Sequence, residues 1–138
     1  MYNLKSLAVL YLATIQALSC GTKQIIEHLN SSGHDIKAIF ICGGLSKNFL
    51  FVTCHADVTG LPLVLPRETD SVLVGSAILA AFAAGDFETM RDAMASMSSA
   101  GKIVYPNSDL KRFYERKYQV FKTMYEDQRQ YRTIMSGE

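Results

Sequence analysis

The sequence predicts an α/β fold: a helix–strand–helix–strand–helix core with two parallel strands, followed by a C-terminal helical extension. Three observations predict it. Two short apolar runs, residues 36–42 and 61–65, are each bounded by turn residues. Runs of that length suit strands of a parallel sheet covered on both faces. The stretch between them carries helix-spaced apolar residues, and two parallel strands need such a crossover. Paired glycines, Gly43-Gly44, follow the first run directly and lead into that helix.

The elements follow in order. A first helix spans about residues 4–30 and ends at Asn30-Ser31-Ser32-Gly33-His34, a cluster of stop and turn residues. The first strand is residues 36–42. The second helix runs over about 47–59, with Phe49, Leu50, Val52 and Ala56 on its inner face, and Gly60 closes it. Pro62 falls near the start of the second strand, where a missing N–H is tolerated. Thr69 or Asp70 caps a third helix through Ala84, small and apolar on almost every side and so expected to be buried. Gly85-Asp86 restarts the chain into a helix bearing Met90, Met94 and Met97. Tyr105-Pro106-Asn107 is a loop, and a long last helix covers about 109–134. Two strands alone make a poor sheet, which points to part of a larger domain.

At 138 residues with a formal net charge of +1, the chain fits one domain and lacks the charge bias of a polyanion binder. Three cysteines, Cys20, Cys42 and Cys54, form no C-x-x-C pair and argue for a reducing, cytoplasmic location. A zinc site would need Cys42, Cys54 and His55 to converge from a strand end and a helix, plus a fourth ligand. They read instead as ordinary buried thiols. His28 and His34 flank a helix end, where a cation suits the dipole. Cys54 and His55 are adjacent on a helix, so their side chains diverge.

The first twenty residues share the layout of a secretory leader: Lys5, the apolar run 7–13, then Ala17-Leu18-Ser19-Cys20. That reading would make the chain a secreted or membrane-tethered precursor. Thr14 and Gln16 interrupt the run, however. The spacing of Leu7, Leu10, Tyr11, Ile15, Leu18, Ile25, Ile26 and Leu29 continues past the cleavage point as one helix would. At the other end, Lys111-Arg112, Arg116-Lys117 and Arg129 alternate with aromatics, a mixture that nucleic-acid stacking could use. Leu110, Tyr114, Tyr118, Phe121 and Tyr125 recur at helical spacing, so packing on the domain is the expectation.

The candidate site is Gly43-Gly44-Leu45-Ser46-Lys47-Asn48. Glycine lets a ligand approach the backbone, and the next helix N-terminus offers free N–H groups. There is neither a G-x-G-x-x-G nor a G-x-x-x-x-G-K-S/T pattern, so the turn is not a dinucleotide or P-loop fingerprint.

The neighbours of the turn narrow its reading. Ala56-Asp57-Val58-Thr59-Gly60-Leu61-Pro62-Leu63-Val64-Leu65-Pro66 follows it, then Glu68-Thr69-Asp70 and Val74-Gly75-Ser76-Ala77-Ile78-Leu79-Ala80-Ala81. This ordered series resembles the C-terminal domain of the FGGY carbohydrate kinases, and most of all their pentulose-kinase branch. The resemblance implies a partial actin-like, ribonuclease H-like ATPase domain over residues 1–84, with 85–138 as its C-terminal helical extension. It implies part of an ATP- and Mg2+-dependent kinase acting on a sugar, a ketopentose such as ribulose.

The resemblance also assigns roles. Gly43 and Gly44 match the adenosine motif, and Asn48 matches the position that assists in holding the adenine end. Leu45 stands where many relatives carry a smaller residue, which narrows the adenine slot. Lys47 is read as solvated. No catalytic residue and no metal ligand is assigned to this chain, because the family's base and phosphate loops lie in parts absent from it. Asp70 is read as a cap and Asp57 as an exposed helical residue. The chain is therefore expected to need the missing N-terminal kinase domain, with no nucleic-acid or membrane partner. It is also expected to self-associate through its uncovered surface. The alternative is a short non-catalytic product that acts as a binding or regulatory partner.

Overall fold

In the computed structural model, which describes residues 4–68 and 70–137, helix α1 (Leu4–Ser31) opens the chain. Strand β1 (Ile39–Phe40), a 3-10 turn (Gly44–Lys47), α2 (Phe49–Thr59) and β2 (Leu63–Pro66) follow. Then come α3 (Ser71–Ala84), α4 (Met90–Met97), β3 (Ala100–Val104), a second 3-10 turn (Ser108–Leu110) and α5 (Lys111–Ser136).

The sheet order is β1-β2-β3. Strands β1 and β2 are parallel, with Ile39 opposite Leu63 and Phe40 opposite Val64, and α2 is their crossover. Backbone bonds from Ile39 N to Pro62 O and from Ile41 N to Val64 O carry the pairing just past the strand ends. The expected strand over 36–42 is thus shorter, and Phe40 is 77 % exposed, so β1 is covered on one face only.

A third strand corrects the expectation of two. Strand β3 pairs antiparallel with β2, Leu63 opposite Val104 and Val64 opposite Ile103, with an irregularity between Val64 and Pro66. Its sequence, Ala-Gly-Lys-Ile-Val, carries only two β-branched residues, and the pairing depends on a backbone contact that no pattern announces. A Cβ on Gly101 would lie 2.8 Å from Pro66 O and 2.9 Å from Arg67 N. Glycine is what allows the two backbones to close there.

Helix α2 is buried on two sides. Phe51, Cys54 and Val58 pack with Ile15 and Cys20 of α1 and with Tyr114 and Tyr118 of α5. Val52 and Ala56 pack on Leu63 and Val104 of the sheet. Two of the four expected inner residues, Phe49 and Leu50, are exposed instead. Asp57 is half-buried rather than exposed: its Oδ1 accepts from Asn107 N at 2.7 Å and ties the 105–107 loop to α2.

Two other expectations need correction. Helix α3 buries only Ile78; Val72 and Leu73 are 82 % and 68 % exposed. Its apolar composition reflects a face that nothing among the described residues covers. Asp70 occupies the N-cap position of α3, but its side chain makes no capping bond; its backbone carbonyl accepts from Val74 N. The other proposed cap, Thr69, lies outside the described residues, as do Met1 to Asn3.

Helix α1 is one continuous helix past Cys20, long and apolar enough to cross a membrane by length and composition. Its buried residues are Ile15, Gln16, Ser19 and Cys20, two of them polar and bonded to other helices: Lys117 Nζ donates to Gln16 Oε1, and Ser19 Oγ meets His55. Specific polar partners of that kind suit a helix packed in a domain. Its leucines Leu4, Leu7, Leu10 and Leu18 are exposed. Helix α5 docks by its first half, where Tyr114 and Tyr118 are buried, whereas Tyr125 is exposed.

Gly101→Ala should destabilise the chain by about 1–3 kcal/mol, the usual cost of overpacking, read from the urea unfolding midpoint. The exposed faces of α1 and α3 should drive concentration-dependent self-association in sedimentation velocity, weakened by Leu73→Lys at unchanged unfolding midpoint. A chain that stays monomeric and binds no hydrophobic dye would contradict that.

Candidate functional site

Strand β1 delivers the chain to Cys42 and Gly43 at the sheet edge. Gly43 has φ 79° and ψ −165°, a conformation that side chains disfavour. Its carbonyl accepts from Ser46 Oγ at 2.6 Å and from Ser46 N at 3.2 Å, so the turn is closed from within. Gly44 begins the 3-10 turn. Cβ atoms added at Gly43 or Gly44 would meet nothing within 4 Å, so both backbones face open space.

The expected helix start at Lys47 is displaced. Asn48 breaks the helical run with extended φ −91° and ψ 98°, and its Oδ1 accepts from Phe51 N at 3.2 Å. Asparagine is among the strongest N-caps, so it ends the 3-10 turn and starts α2 itself. Lys47 therefore lies in the turn and is exposed. Asn48 Nδ2 donates to Tyr11 Oη at 2.7 Å, which ties α1 to the turn. The structure thus brings exposed Gly43 and Gly44 and half-buried Asn48 together on one short segment, with Leu45 (56 % exposed) between them. Sequence reading missed Tyr11 as a neighbour of Asn48; thirty-odd residues separate them, and helix spacing gave it only an apolar role.

The acids lie elsewhere. Asp35 pairs with Lys37 at 2.6 Å in solvent, and Glu68 lies 3.9 Å from Arg67. Among the described residues no group of three His, Cys, Asp or Glu side chains is arranged to hold a metal ion. Cys20 and Cys54 are buried free thiols as expected, whereas Cys42, just past the short strand β1, is exposed. Burial pushes the Cys20 thiol up, and the nearby Cys54 adds to that.

His55 is a second feature that sequence reading dismissed. It is buried, and its Nδ1 lies 2.9 Å from Phe51 O and 3.0 Å from Ser19 Oγ. A carbonyl only accepts, so Nδ1 carries the proton. Ser19 spends its own proton on Ile15 O at 2.9 Å and is left to accept from the imidazole. The arrangement is a structural pin between α1 and α2. A serine whose proton goes to a backbone carbonyl is not poised as a nucleophile.

Tyr118 is the corresponding pin from α5. Its hydroxyl donates to Glu27 Oε2 at 2.8 Å, and Lys23 and Lys122 Nζ sit 4.8 and 4.9 Å from its ring centroid. Burial, then the hydrogen bond and charge of Glu27, push its pKa far up.

Comparison with known proteins shows the family and the fold. Residues 2–84 match the model of the C-terminal domain of the FGGY family of carbohydrate kinases. An FGGY carbohydrate kinase domain-containing protein of Xenopus laevis is 54 % identical over 133 residues, covering 96 % of this chain and 24 % of the relative. A D-ribulokinase of Saccharomyces cerevisiae is 46 % identical over 91 residues, covering 65 % of this chain and 13 % of that protein. A solved xylulose kinase from Rhodospirillum rubrum superposes with a TM-score of 0.69 over 85 % of this chain and 24 % of its own, at 23 % identity, which shows the shared fold. The chain spans about a quarter of the length of the first of these relatives.

Burial holds the His55 pKa below its ordinary value, and the Phe51 carbonyl only partly offsets this. The unfolded chain therefore takes up the proton first, at about pH 6.5, so stability should fall as pH drops from there through the lower folded value. Above about pH 7.5 this contribution should be flat. His55→Gln should flatten the loss in urea midpoint between pH 7.5 and 5; an unchanged slope would assign the acid sensitivity to other groups.

Proposed function

The chain belongs to the FGGY family of carbohydrate kinases, and from that premise we propose that it forms the adenosine-facing wall of an ATP-dependent sugar kinase. The observation that carries the reading is the Gly43–Asn48 turn: it follows a parallel strand, exposes two bare backbones, and ends in a capped helix. Backbone without Cβ atoms suits the close approach of a flat nucleobase and ribose. Gly43 and Gly44 would contact the adenosine, and Asn48 would steady the adenine end. Leu45 would narrow the slot. Residues 1–84 would form the terminal part of the kinase domain and 85–138 its extension.

The sugar is proposed to be a ketopentose such as ribulose, a reading supported by the likeness to a D-ribulokinase. Phosphoryl transfer needs in-line positioning, a base for the attacking hydroxyl and a metal-neutralised triphosphate. Among the described residues no acid is assigned as the base for that step. Asp57 is engaged by Asn107, and Asp35 and Glu68 sit beside cations in solvent. Mg2+ would ride on the triphosphate, with no ligand assigned here. The base and the sugar contacts would come from an N-terminal kinase domain, which would also close over the γ-phosphate and exclude water. The exposed apolar faces of α1 and α3 support such a partner, because surfaces of that kind favour burial. A reducing, cytoplasmic location is proposed from the unpaired thiols.

Two measurements test the reading. ADP titrated into the labelled chain should shift the amide signals of Gly43, Gly44 and Asn48, with a dissociation constant on the order of 1 mM, about −4 kcal/mol, as befits half a site. A coupled assay with ATP and ribulose should show no turnover by the chain alone. Robust turnover would overturn the need for a second domain, and silent amides would overturn the adenosine wall in favour of a non-catalytic product.

A further inference from the structure

Among the contacts of the turn, one reaches it from a distant part of the chain. Tyr11 Oη accepts from Asn48 Nδ2 at 2.7 Å, across 37 residues of sequence. The identity of the two Asn48 side-chain atoms follows from the cap. Phe51 N can only donate, so the atom facing it is Oδ1, and the atom facing Tyr11 is the amide nitrogen. The side chain is thus held at both ends, by α2 through its oxygen and by α1 through its nitrogen. Tyr11 is 53 % exposed and so contributes little to the core. Its hydroxyl is placed against one polar partner.

An asparagine amide has two N–H donors and two acceptor lone pairs. The cap takes one lone pair and Tyr11 takes one proton, which leaves one donor and one acceptor. A donor–acceptor pair on an amide complements adenine, whose N7 accepts and whose N6 amine donates. Guanine presents two acceptors, N7 and O6, on the same edge. The cap alone leaves the nitrogen end, which carries the donor, able to swing about χ2. An amide held at both ends would favour adenine.

Resting on the adenosine-wall reading above, we infer that Tyr11 is a positioning residue: its hydroxyl fixes the Asn48 amide and so sets selectivity for adenine over guanine nucleotides. The residue acts through Asn48 and touches no reacting group. It also links the orientation of α1 to the nucleotide edge of the turn.

Tyr11→Phe removes the hydroxyl and keeps the ring, at an exposed position where folding is not at stake. The full chain is titrated with ADP and with GDP, and the side-chain NH2 signals of Asn48 are followed. In the wild type those two protons should be well separated and exchange slowly. In Tyr11→Phe they should exchange faster at an unchanged unfolding midpoint. ADP affinity should fall by about 5-fold, the equivalent of one lost bidentate partner, with GDP affinity little changed. A purely structural role for Tyr11 would not alter the ADP-to-GDP ratio. An unchanged ratio with wild-type ADP binding intact would overturn the inference and leave the adenosine wall standing. A wild-type chain that binds neither nucleotide would overturn both, and Asn48 protons that still depend on Tyr11 would reduce the contact to a helix-to-helix tie.

Discussion

The fold depends on helix α2 being buried on two opposite sides. Phe51, Cys54 and Val58 form one core with α1 and α5, and Val52 and Ala56 form another with the sheet. Serving two cores takes up most of the circumference of this eleven-residue helix and leaves Thr53, Asp57 and Thr59 as partly exposed polar positions. Ala56 is fully buried, and at that position a small side chain lets the helix settle close to the sheet. Helices α1 and α5 and strands β2 and β3 all pack on α2, and the glycine turn is positioned because α2 begins where Asn48 caps it.

Polar pins refine what the apolar contacts leave loose. Apolar burial holds α1 near α2 but does not choose its rotation, because burial is non-directional. Ser19 with His55, Gln16 with Lys117 and Glu27 with Tyr118 each demand one register of α1 against its neighbours. The Tyr11–Asn48 bond is a fourth pin on the same helix and the one nearest the glycine turn. The exposed leucines of α1 and the exposed face of α3 are a different kind of surface, apolar and without pins.

Much of this was legible in the sequence because local rules govern it. The Asn30-to-Gly33 stop, the closing glycines Gly60 and Gly85, and the crossover between two apolar runs follow from chain stereochemistry and periodicity. The glycine pair was visible for the same reason. The third strand was not, because Ala100–Val104 owes its state to pairing with β2, and its glycine matters through contact with Pro66. The start of α2 was misplaced by two residues because Asn48 was read as a helical residue when its side chain makes it a cap.

By itself the sequence determined which segments are helix, which glycines turn the chain, and that a glycine-bearing turn follows the first strand. Those are properties of a few adjacent residues, set by φ/ψ sterics, capping and side-chain spacing. Only the tertiary structure decided which faces are covered. It put Gln16, Ser19 and His55 inside and Leu10, Val72 and Leu73 outside, and it set Tyr11 against Asn48. Burial depends on what packs across from a residue. A helix apolar on every side carries no mark of which side this chain covers and which it leaves open.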